Sequence, residues 1–326
     1  MNSLPKVGLV TVLYNSAGVL PAFFQSLRAQ TYQNIILYVI DNSPDDASLD
    51  CARHHSTYLQ HVVRFVRNVQ NYGVAKGNNQ GIELALEDRC DYILLLNNDI
   101  EFSAETLSNM IDFALTAKAE IVVPKIYYHG TNQLWYAGGK MRLLLGTGRH
   151  RGDRCIDSGQ FDRVEAVSYA PTCFLMISNN VFRDIGLMDE KFFLYFDDTD
   201  FVYRANKLYK IIYNPNCIVY HKVSFSSGGV NEDRTKQRFW RRSVRLPLNR
   251  FAFSGYLTIR NNVYFINKNY KTAFKYYVMF LAVLRQLVGI ILYDDFKAKR
   301  MRLACAAFRD GYAGRMGKPK ALIQNE

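Results

Sequence analysis

The sequence predicts an α/β fold in which a mostly parallel sheet carries helices on both faces and a basic helical region follows. Strand and helix patterns alternate four times in the first part of the chain. Residues 92–96 form an apolar run that is too short for a membrane span and lacks a helical period, which is typical of a strand buried on both faces. This run stops at Asn97, Asn98 and Asp99. Ligands bind at the carboxyl ends of such strands, so this edge is a candidate site, unless these residues only form a turn.

The elements of the sheet follow in order along the chain. Strands are predicted at residues 7–13, 35–40, 62–66 and 92–96. Each is followed by a predicted helix, at residues 18–29, from an entry at 44–46, at 82–86 and at 104–117. This alternation specifies parallel strands joined by helical crossovers.

The middle of the chain is less regular. Residues 135–152 have the glycine and arginine content of a mobile loop, and we predict a lid beside the candidate site here. Residues 164–169 and 173–177 are predicted as antiparallel edge strands. A short helix is expected at residues 180–185, ending at Gly186.

Three acids follow an apolar and aromatic run: Asp197, Asp198 and Asp200. They indicate either the first turn of a helix, where negative charge is favourable, or a buried reactive site. If a helix begins near Asp198, then Asp197 and Asp198 point about 100° apart, and only one can face a substrate. A last strand over residues 218–221 ends at His221, which is either a metal ligand or a structural histidine.

The sequence argues against two common nucleotide-binding folds. The segment after the first strand has one glycine where a dinucleotide fingerprint needs three, and no P-loop motif occurs. A nucleotide would therefore be held by side chains at strand ends. Asp41 suits a base or ribose, or is only a turn residue. Residues 71–81, with three glycines, three asparagines and Lys76, suit a phosphate or base, or form a loop that caps the next helix.

The cysteines indicate the cellular compartment, and the charge distribution indicates the class of partner. The six cysteines are scattered without a CxxC or CxxH pair, and the first residues show no signal-peptide pattern, so we expect free thiols in the cytoplasm. Residues 1–230 hold 21 Lys and Arg against 23 Asp and Glu, whereas residues 231–326 hold 20 against 6. This asymmetry indicates a polyanionic partner, either a membrane surface or nucleic acid. A nucleic-acid-binding protein is the second function class, although no recognition motif supports it.

The basic region contains an arginine cluster and an apolar helix. The cluster comprises Arg234, Arg238, Arg241, Arg242, Arg245 and Arg250. The helix, at residues 274–293, is interrupted by Arg285 and Gln286, and a central arginine costs about 2.5–3.5 kcal/mol in a membrane span. We predict that it lies in a membrane interface or packs on the catalytic domain. Basic residues after it are expected at the lipid surface: Lys297, Lys299, Arg300 and Arg302.

Together these segments resemble the family 2 inverting nucleotide-sugar glycosyltransferases of the GT-A fold, a Rossmann-like fold, and especially their rhamnosyltransferase-like bacterial branch. The resemblance covers residues 7–225. It is carried by residues 12–15, 39–43, 71–81, 95–99, 193–200 and 219–221.

The resemblance implies roles for individual residues. Asp99 and Asn97 stand at the metal motif of the family, with Asn97 where many relatives have Asp, and His221 completes a site for Mg²⁺ or Mn²⁺. Asp198 matches the catalytic base, and Asp197 stands where relatives have Glu. The expected nucleotide-sugar-binding residues are Thr11, Tyr14, Asn15, Asp41, Asn71, Gly73, Lys76, Gly77, Asn78 and Asn98.

The resemblance also implies partners and an organisation. We expect a catalytic domain over residues 1–230 and a membrane-interfacial region over residues 231–326. The donor would be a dTDP- or UDP-sugar and the acceptor a glycan or a lipid-linked glycan, at the inner face of the cell membrane, with a homo-oligomer possible. A nucleotidyltransferase that makes a nucleotide sugar is the alternative, but that class carries a glycine- and lysine-rich loop where this chain has residues 14–18.

Overall fold

A computed structural model of the chain describes residues 4–223, 251–293 and 296–319. Its strands are β1 Val7–Leu13, β2 Ile35–Asp41, β3 Val62–Arg67, β4 Tyr92–Leu96, β5 Ile100–Phe102, β6 Ile121–Tyr128, β7 Leu134–Tyr136, β8 Gly139–Arg142, β9 Thr147–His150, β10 Glu165–Val167, β11 Phe174–Ser178 and β12 Ile211–His221. Its α-helices are α1 Leu20–Arg28, α2 Ala47–Ser56, α3 Val74–Glu87, α4 Thr106–Ala117, α5 Asn179–Ile185, α6 Asp197–Ala205, α7 Tyr256–Asn269, α8 Thr272–Tyr293 and α9 Lys297–Tyr312. A 3₁₀ turn, Leu143–Leu145, joins β8 to β9, and a π-helical turn, Phe251–Gly255, precedes α7.

The main sheet is mixed and has the order β10-β12-β6-β11-β4-β1-β2-β3. Strands β4, β1, β2 and β3 are parallel, and β12 is parallel to β6. Strand β11 is antiparallel to both of its neighbours, β4 and β6. Short strands β5 and β7 pair with β12 and β6, and β8 and β9 form a separate hairpin. The predicted α/β fold with helices in the C-terminal region is confirmed.

Helix α3 corrects the prediction for residues 71–81. The helix begins at Val74, so most of the glycine- and asparagine-rich segment is helical and not a loop. A Cβ atom on Gly81 would lie 2.3 Å from Cγ1 of Val10, and one on Gly77 would lie 2.8 Å from Cγ1 of Val12. These glycines therefore allow the helix to lie directly on β1, and close packing, not a phosphate, accounts for them.

Two predictions for the middle of the chain were also wrong. Residues 135–152, predicted as a mobile loop, contain the β8–β9 hairpin. The side chain of Asn262, on α7, donates to the carbonyl oxygens of Leu145 (3.1 Å) and Gly146 (2.8 Å) and so holds the tip of the hairpin. The other error concerns β11, which lies between β6 and β4 and not at an edge, whereas β10 is an edge strand as predicted.

The described C-terminal helices pack against the rest of the chain. One core cluster contains Phe192 and Phe196 together with Val263, Phe265 and Ile266 of α7. The division at residue 230 stays a prediction, and the arginine cluster at residues 234–250 lies outside the described residues.

Helix α8 agrees in length with the predicted apolar helix. It buries Val278 and Met279 but exposes much of its remaining apolar surface. The placement of Arg300 at the lipid surface was wrong, because this side chain is only 1% exposed. Lys297, Lys299 and Arg302 are exposed.

We predict opposite effects of alanine at two helical glycines. Gly81→Ala should lower the free energy of unfolding by about 1–3 kcal/mol, because the new methyl group overlaps Val10. Gly289→Ala, on α8, meets no atom within 4 Å and should be neutral or raise stability by up to about 1 kcal/mol through helix propensity. Urea unfolding of both variants measures this. Equal stability of Gly81→Ala and wild type would contradict the close contact.

Candidate functional site

Asp99 and His221 meet at the edge of the sheet beyond the end of β4. The antiparallel pairing of β5 with β12 sets His221 opposite Ile100, next to Asp99. As a result, Nε2 of His221 lies 3.1 Å from Oδ1 of Asp99, and both side chains are almost fully buried. Burial by itself would raise the pKa of the Asp99 carboxyl, but hydrogen bonds from His221 and Asn97 outweigh it and hold that pKa below its ordinary value. Asp99 is thus kept ionised.

This pair fits a divalent cation that takes its remaining ligands from a substrate. A carboxylate oxygen and an imidazole nitrogen converge, and the other ring nitrogen of His221, Nδ1, is buried without a partner among the described residues. Among the described residues, no group of three or more His, Cys, Asp or Glu side chains could hold a metal. A cation such as Mg²⁺ is commonly held by one or two protein groups together with substrate phosphates. Asp99 and His221, with Asn97 close by, could hold a metal in this way.

The three acids of α6 lie in different environments. Asp198 is partly exposed, whereas Asp197 and Asp200 are buried. Oδ1 of Asp198 accepts hydrogen bonds from the backbone N–H (2.6 Å) and hydroxyl (3.1 Å) of Thr199, and Oδ2 accepts one from the Tyr169 hydroxyl (2.8 Å). Asp198 is therefore the acid of this turn that is both oriented and accessible.

The carboxylate of Asp200 has a structural environment. Its oxygens accept hydrogen bonds from Arg204 (2.9 Å) on α6 and from Lys268 (2.9 Å) and Asn269 (2.8 Å) on α7. These bonds tie the first turn of α6 to the C-terminal region. Asp200 is also fully buried, so its carboxylate offers no surface to a substrate.

A row of aromatic rings connects the Asp99–His221 pair with Asp198. The ring of Trp135 lies 4.6 Å from that of His221 and 4.4 Å from that of His150. His150 stacks on Tyr169 at 5.8 Å, and Tyr169 donates to Asp198. Sequence reasoning missed Trp135, His150 and Tyr169, because they lie in or after the segment that was predicted as a loop.

The surroundings of Cys173 give a second indication that the carboxylates of Asp99 and Asp198 lie near each other. Burial, followed by the negative charges of Asp99 and Asp198, raises the pKa of its thiol well above the ordinary value. The backbone agrees with this, because the N–H of Asn97, two residues before Asp99, donates to the carbonyl oxygen of Cys173 (2.9 Å). The proposed metal and base positions are thus neighbours, although they are distant in sequence.

The predicted donor-binding residues at the ends of β1 and β2 differ in access. Tyr14 and Asn15 are exposed at the end of β1. Asp41 is fully buried, and its carboxylate accepts hydrogen bonds from the backbone N–H of Ser43 (2.9 Å) and from Arg67 (2.8 Å). Asp41 therefore organises the end of β2 and offers no surface to a base, which corrects the prediction. Arg67 was not predicted at this edge, and its guanidinium is partly exposed here.

Of the predicted residues before and on α3, Asn71 and Gly73 shape the backbone, whereas Lys76 is available to a ligand. Asn71 caps the turn by accepting from the N–H of Gly73 (2.8 Å). Gly73 has φ +88°, and a Cβ atom there would lie 2.3 Å from the carbonyl oxygen of Phe193. Lys76 is partly exposed and lies 3.5 Å from a carboxylate oxygen of Glu190. Hence this segment packs on the loop that leads to Asp197, and only Lys76 extends a charge from it.

The remaining predicted residues are buried: Thr11, Gly77, Asn78 and Asn98. Thr11 lies within β1 and not at its end, and its hydroxyl has no hydrogen-bond partner. Asn98 donates to the carbonyl oxygen of Val12 (2.7 Å) and so ties the end of β4 to β1, while its own Oδ1 has no partner. In the described structure, fewer of the predicted donor-binding residues are therefore exposed to a donor than the sequence indicated.

Comparison with known proteins assigns the family. Residues 9–186, more than half of the chain, match glycosyl transferase family 2. This chain belongs to glycosyl transferase family 2. The low-salt glycan biosynthesis hexosyltransferase Agl10 of Haloferax volcanii is 26% identical over 171 residues, which are 52% of each chain. The chain spans at most about half the length of the curated relatives it matches.

Solved structures show the same fold. TarS from S. aureus, in complex with UDP-GlcNAc, superposes with a TM-score of 0.59 over 97% of this chain and 82% of that one, at 16% identity. The mannosyltransferase PcManGT from Pyrobaculum calidifontis, in complex with GDP-Man and Mn²⁺, gives 0.54 over 96% and 76%, at 13% identity. The predicted GT-A fold is confirmed.

In this family 2 chain, the loop before Asp197 is held in an unusual conformation by α7. Tyr195 and Phe196 both have left-handed backbone angles, φ +67° and +68°, which cost free energy for residues with a side chain. The side chain of Asn261, fully buried, donates to the carbonyl oxygens of Leu194 and Tyr195, each at 2.9 Å. The start of α6, and with it Asp198, therefore depends on the C-terminal region.

We predict that Asp197 makes stability depend on pH. Burial, and then the charge of Asp198, raises the pKa of Asp197 to about 7 from 3.8. Between these values the folded state binds more protons than the unfolded state, so stability falls as the pH rises from about 4 to about 7. Asp197→Asn removes this loss.

Urea unfolding at about pH 5 and about pH 8 measures this effect. The free energy of unfolding of Asp197→Asn minus that of wild type should be larger at about pH 8 than at about pH 5. A difference between the two proteins that is the same at both pH values would contradict the assignment.

Proposed function

We propose that this chain is an inverting glycosyltransferase. It would move a sugar, rhamnose or another hexose, from a dTDP- or UDP-sugar to a glycan or lipid-linked acceptor in cell-surface polysaccharide synthesis, such as that of O-antigen, capsule or lipopolysaccharide. The observation that carries the proposal is the row of contacts through Trp135, His150 and Tyr169 that joins the Asp99–His221 pair to the oriented carboxylate of Asp198. The nucleotide sugars bound by TarS and PcManGT support a nucleoside diphosphate donor.

Asp99, His221 and Asn97 would hold Mg²⁺ or Mn²⁺. When bound, the cation supplies neutralisation of the charge that develops on the leaving diphosphate. The chain's own contribution is to keep Asp99 ionised and fixed, through His221 and through the backbone N–H of Lys222, which donates to the carbonyl oxygen of Asp99 (2.8 Å). The Mn²⁺ in the PcManGT complex supports a divalent ion.

Asp198 would act as the base. Its Oδ1 is occupied by two hydrogen bonds from Thr199, whereas Oδ2 accepts a single bond from the described residues, that of Tyr169, and keeps a lone pair for a proton. The acceptor oxygen bonds to the anomeric carbon as the bond from that carbon to the diphosphate breaks, and its proton passes to Asp198. A single displacement of this kind inverts the anomeric centre, because the nucleophile attacks the face opposite the leaving group.

The location that fits this reaction is the inner face of the cell membrane. Helix α8 is long and apolar enough to cross a membrane by length and composition alone, and most of it is not buried against the protein. The exposed Arg285 in its middle favours an interfacial position over a span. Within residues 231–326, we therefore propose α8 as the membrane-interfacial element, whereas α7 packs on the catalytic domain.

The test of donor binding uses thermal stabilisation by nucleotide sugars with and without Mn²⁺. Wild type should be stabilised only when both are present, and Asp99→Asn should lose the metal-dependent part, because the charged ligand is gone while its volume remains. Asp50→Asn, an exposed acid on α2, is the matched control and should behave as wild type. Metal-dependent stabilisation that survives in folded Asp99→Asn would refute the metal position.

The test of the base compares three isosteric variants. Asp198→Asn should bind the donor but lose about 10²–10⁴-fold in turnover, the usual contribution of a positioned base. Asp197→Asn should cost less turnover, and Asp200→Asn should act mainly on stability, since Asp200 is paired with Arg204 and Lys268. NMR of the product would check inversion. Near-normal turnover by Asp198→Asn would move the base to another residue.

A further inference from the structure

The hairpin of β8 and β9 carries positive charge on one face. Its register sets Lys140 opposite Arg149 and Arg142 opposite Thr147. Since alternate residues of a strand share a face, these four side chains lie on the same side of the hairpin. Helix α8 packs against the turn between the two strands.

Arg285 of α8 adds a further charge to this face. Burial, followed by the positive charges of Arg285 and Arg149, lowers the pKa of the Arg142 guanidinium. In the described part of the chain, no carboxylate pairs with Lys140, Arg142, Arg149 or Arg285. Arg142 donates to the Thr147 hydroxyl (3.0 Å), but its Nε is buried without a partner. Arg142 is partly buried beside exposed like charges, with no carboxylate partner among the described residues; this arrangement is costly, and an anion would relieve that cost.

An exposed apolar surface borders these cations. Around Arg285, α8 exposes large apolar side chains: Tyr277, Phe280, Leu284, Val288, Ile291 and Leu292. Phe280 and Leu292 are 63% and 62% exposed. A cationic face beside an apolar helix suits an amphiphile that has a phosphate at one end and a hydrocarbon chain at the other.

The opposite face of the hairpin contacts Tyr169. A Cβ atom on Gly148 would lie 2.2 Å from the ring of Tyr169, and His150 stacks on the same ring. Tyr169 donates to Asp198, the proposed base. Only the thickness of the hairpin therefore separates the cationic face from the tyrosine that orients the base, which places the cations on the acceptor side.

We propose that Lys140, Arg142, Arg149 and Arg285 bind the phosphate of a lipid-linked acceptor, whose hydrocarbon chain lies along α8. This proposal rests on the proposed function and specifies its acceptor. The four cations bind the phosphate, and the exposed apolar residues of α8 bind the hydrocarbon chain. The sugar attached to the phosphate then lies on the side of the hairpin near Asp198.

The test measures binding of farnesyl diphosphate to the full chain by calorimetry. EDTA is present, so that metal-dependent binding at Asp99 does not contribute. Arg149→Gln and Arg285→Gln replace exposed residues and should each weaken binding about tenfold, the usual loss for a hydrogen bond to a charged group. Inorganic diphosphate and farnesol should each bind more weakly than farnesyl diphosphate, because each offers half of the ligand.

The double variant Lys297→Gln/Lys299→Gln on α9 is the matched control, because it removes exposed charges away from the hairpin. It should bind the probe as wild type does. Unchanged binding by Arg149→Gln and Arg285→Gln, or an equal loss in the control, would overturn the site. This test measures binding and not turnover. Arginine-dependent binding of farnesyl diphosphate would therefore support the site even if no nucleotide sugar proved to be a donor.

Vesicles of phosphatidylglycerol and phosphatidylcholine distinguish the acceptor from bulk lipid. If the acceptor phosphate is the ligand, Arg149→Gln and Arg285→Gln should lose affinity for farnesyl diphosphate while vesicle binding falls less. Loss of vesicle binding with unchanged affinity for farnesyl diphosphate would overturn the acceptor assignment in favour of a lipid headgroup.

Discussion

The pairing of β5 with β12 is the constraint on which the site depends. It brings the last residue of the long strand β12 against the polar end of β4, so that His221 contacts Asp99 across 122 residues of sequence. Buried carboxylates are costly unless they are hydrogen-bonded, and this pairing supplies the partner. The pairing of β7 with β6, the neighbour of β12, places Trp135 against His221, and from there the aromatic row leads to Asp198. A shift of this register would separate the metal position from the base.

The turn that carries Asp198 is held from two sides. On one side, the N–H of Val74, at the start of α3, donates to the carbonyl oxygen of Phe193 (2.9 Å), with Gly73 making the close approach possible. On the other side, Asn261 of α7 binds the next two carbonyl groups. These bonds offset the cost of two consecutive left-handed residues. Helix α7 is thus part of the catalytic structure and not an appendage to it.

Some of the positive charge of the C-terminal region is buried or paired within the protein. Arg260 and Arg300 are almost fully buried, and Lys268 neutralises Asp189 and Asp200. Part of the excess therefore stabilises the packing of α7 and α9 and is not offered to a partner. Net charge alone overstates the cationic surface, because it does not distinguish buried from exposed residues.

By itself, the sequence determined the strand and helix succession of the first half, the polar ends of β1, β2 and β4, and the start of α6 at its acids. These features follow from local apolar periodicity and from the residues that begin and end each element. The tertiary structure alone decided that Gly77 and Gly81 belong to a helix on β1, that residues 139–150 form a hairpin, and that Asp41 is buried. It also brought Trp135, His150 and Tyr169 together between His221 and Asp198. The physical reason is that burial and strand pairing are set by residues far apart in the chain, which a local pattern does not report.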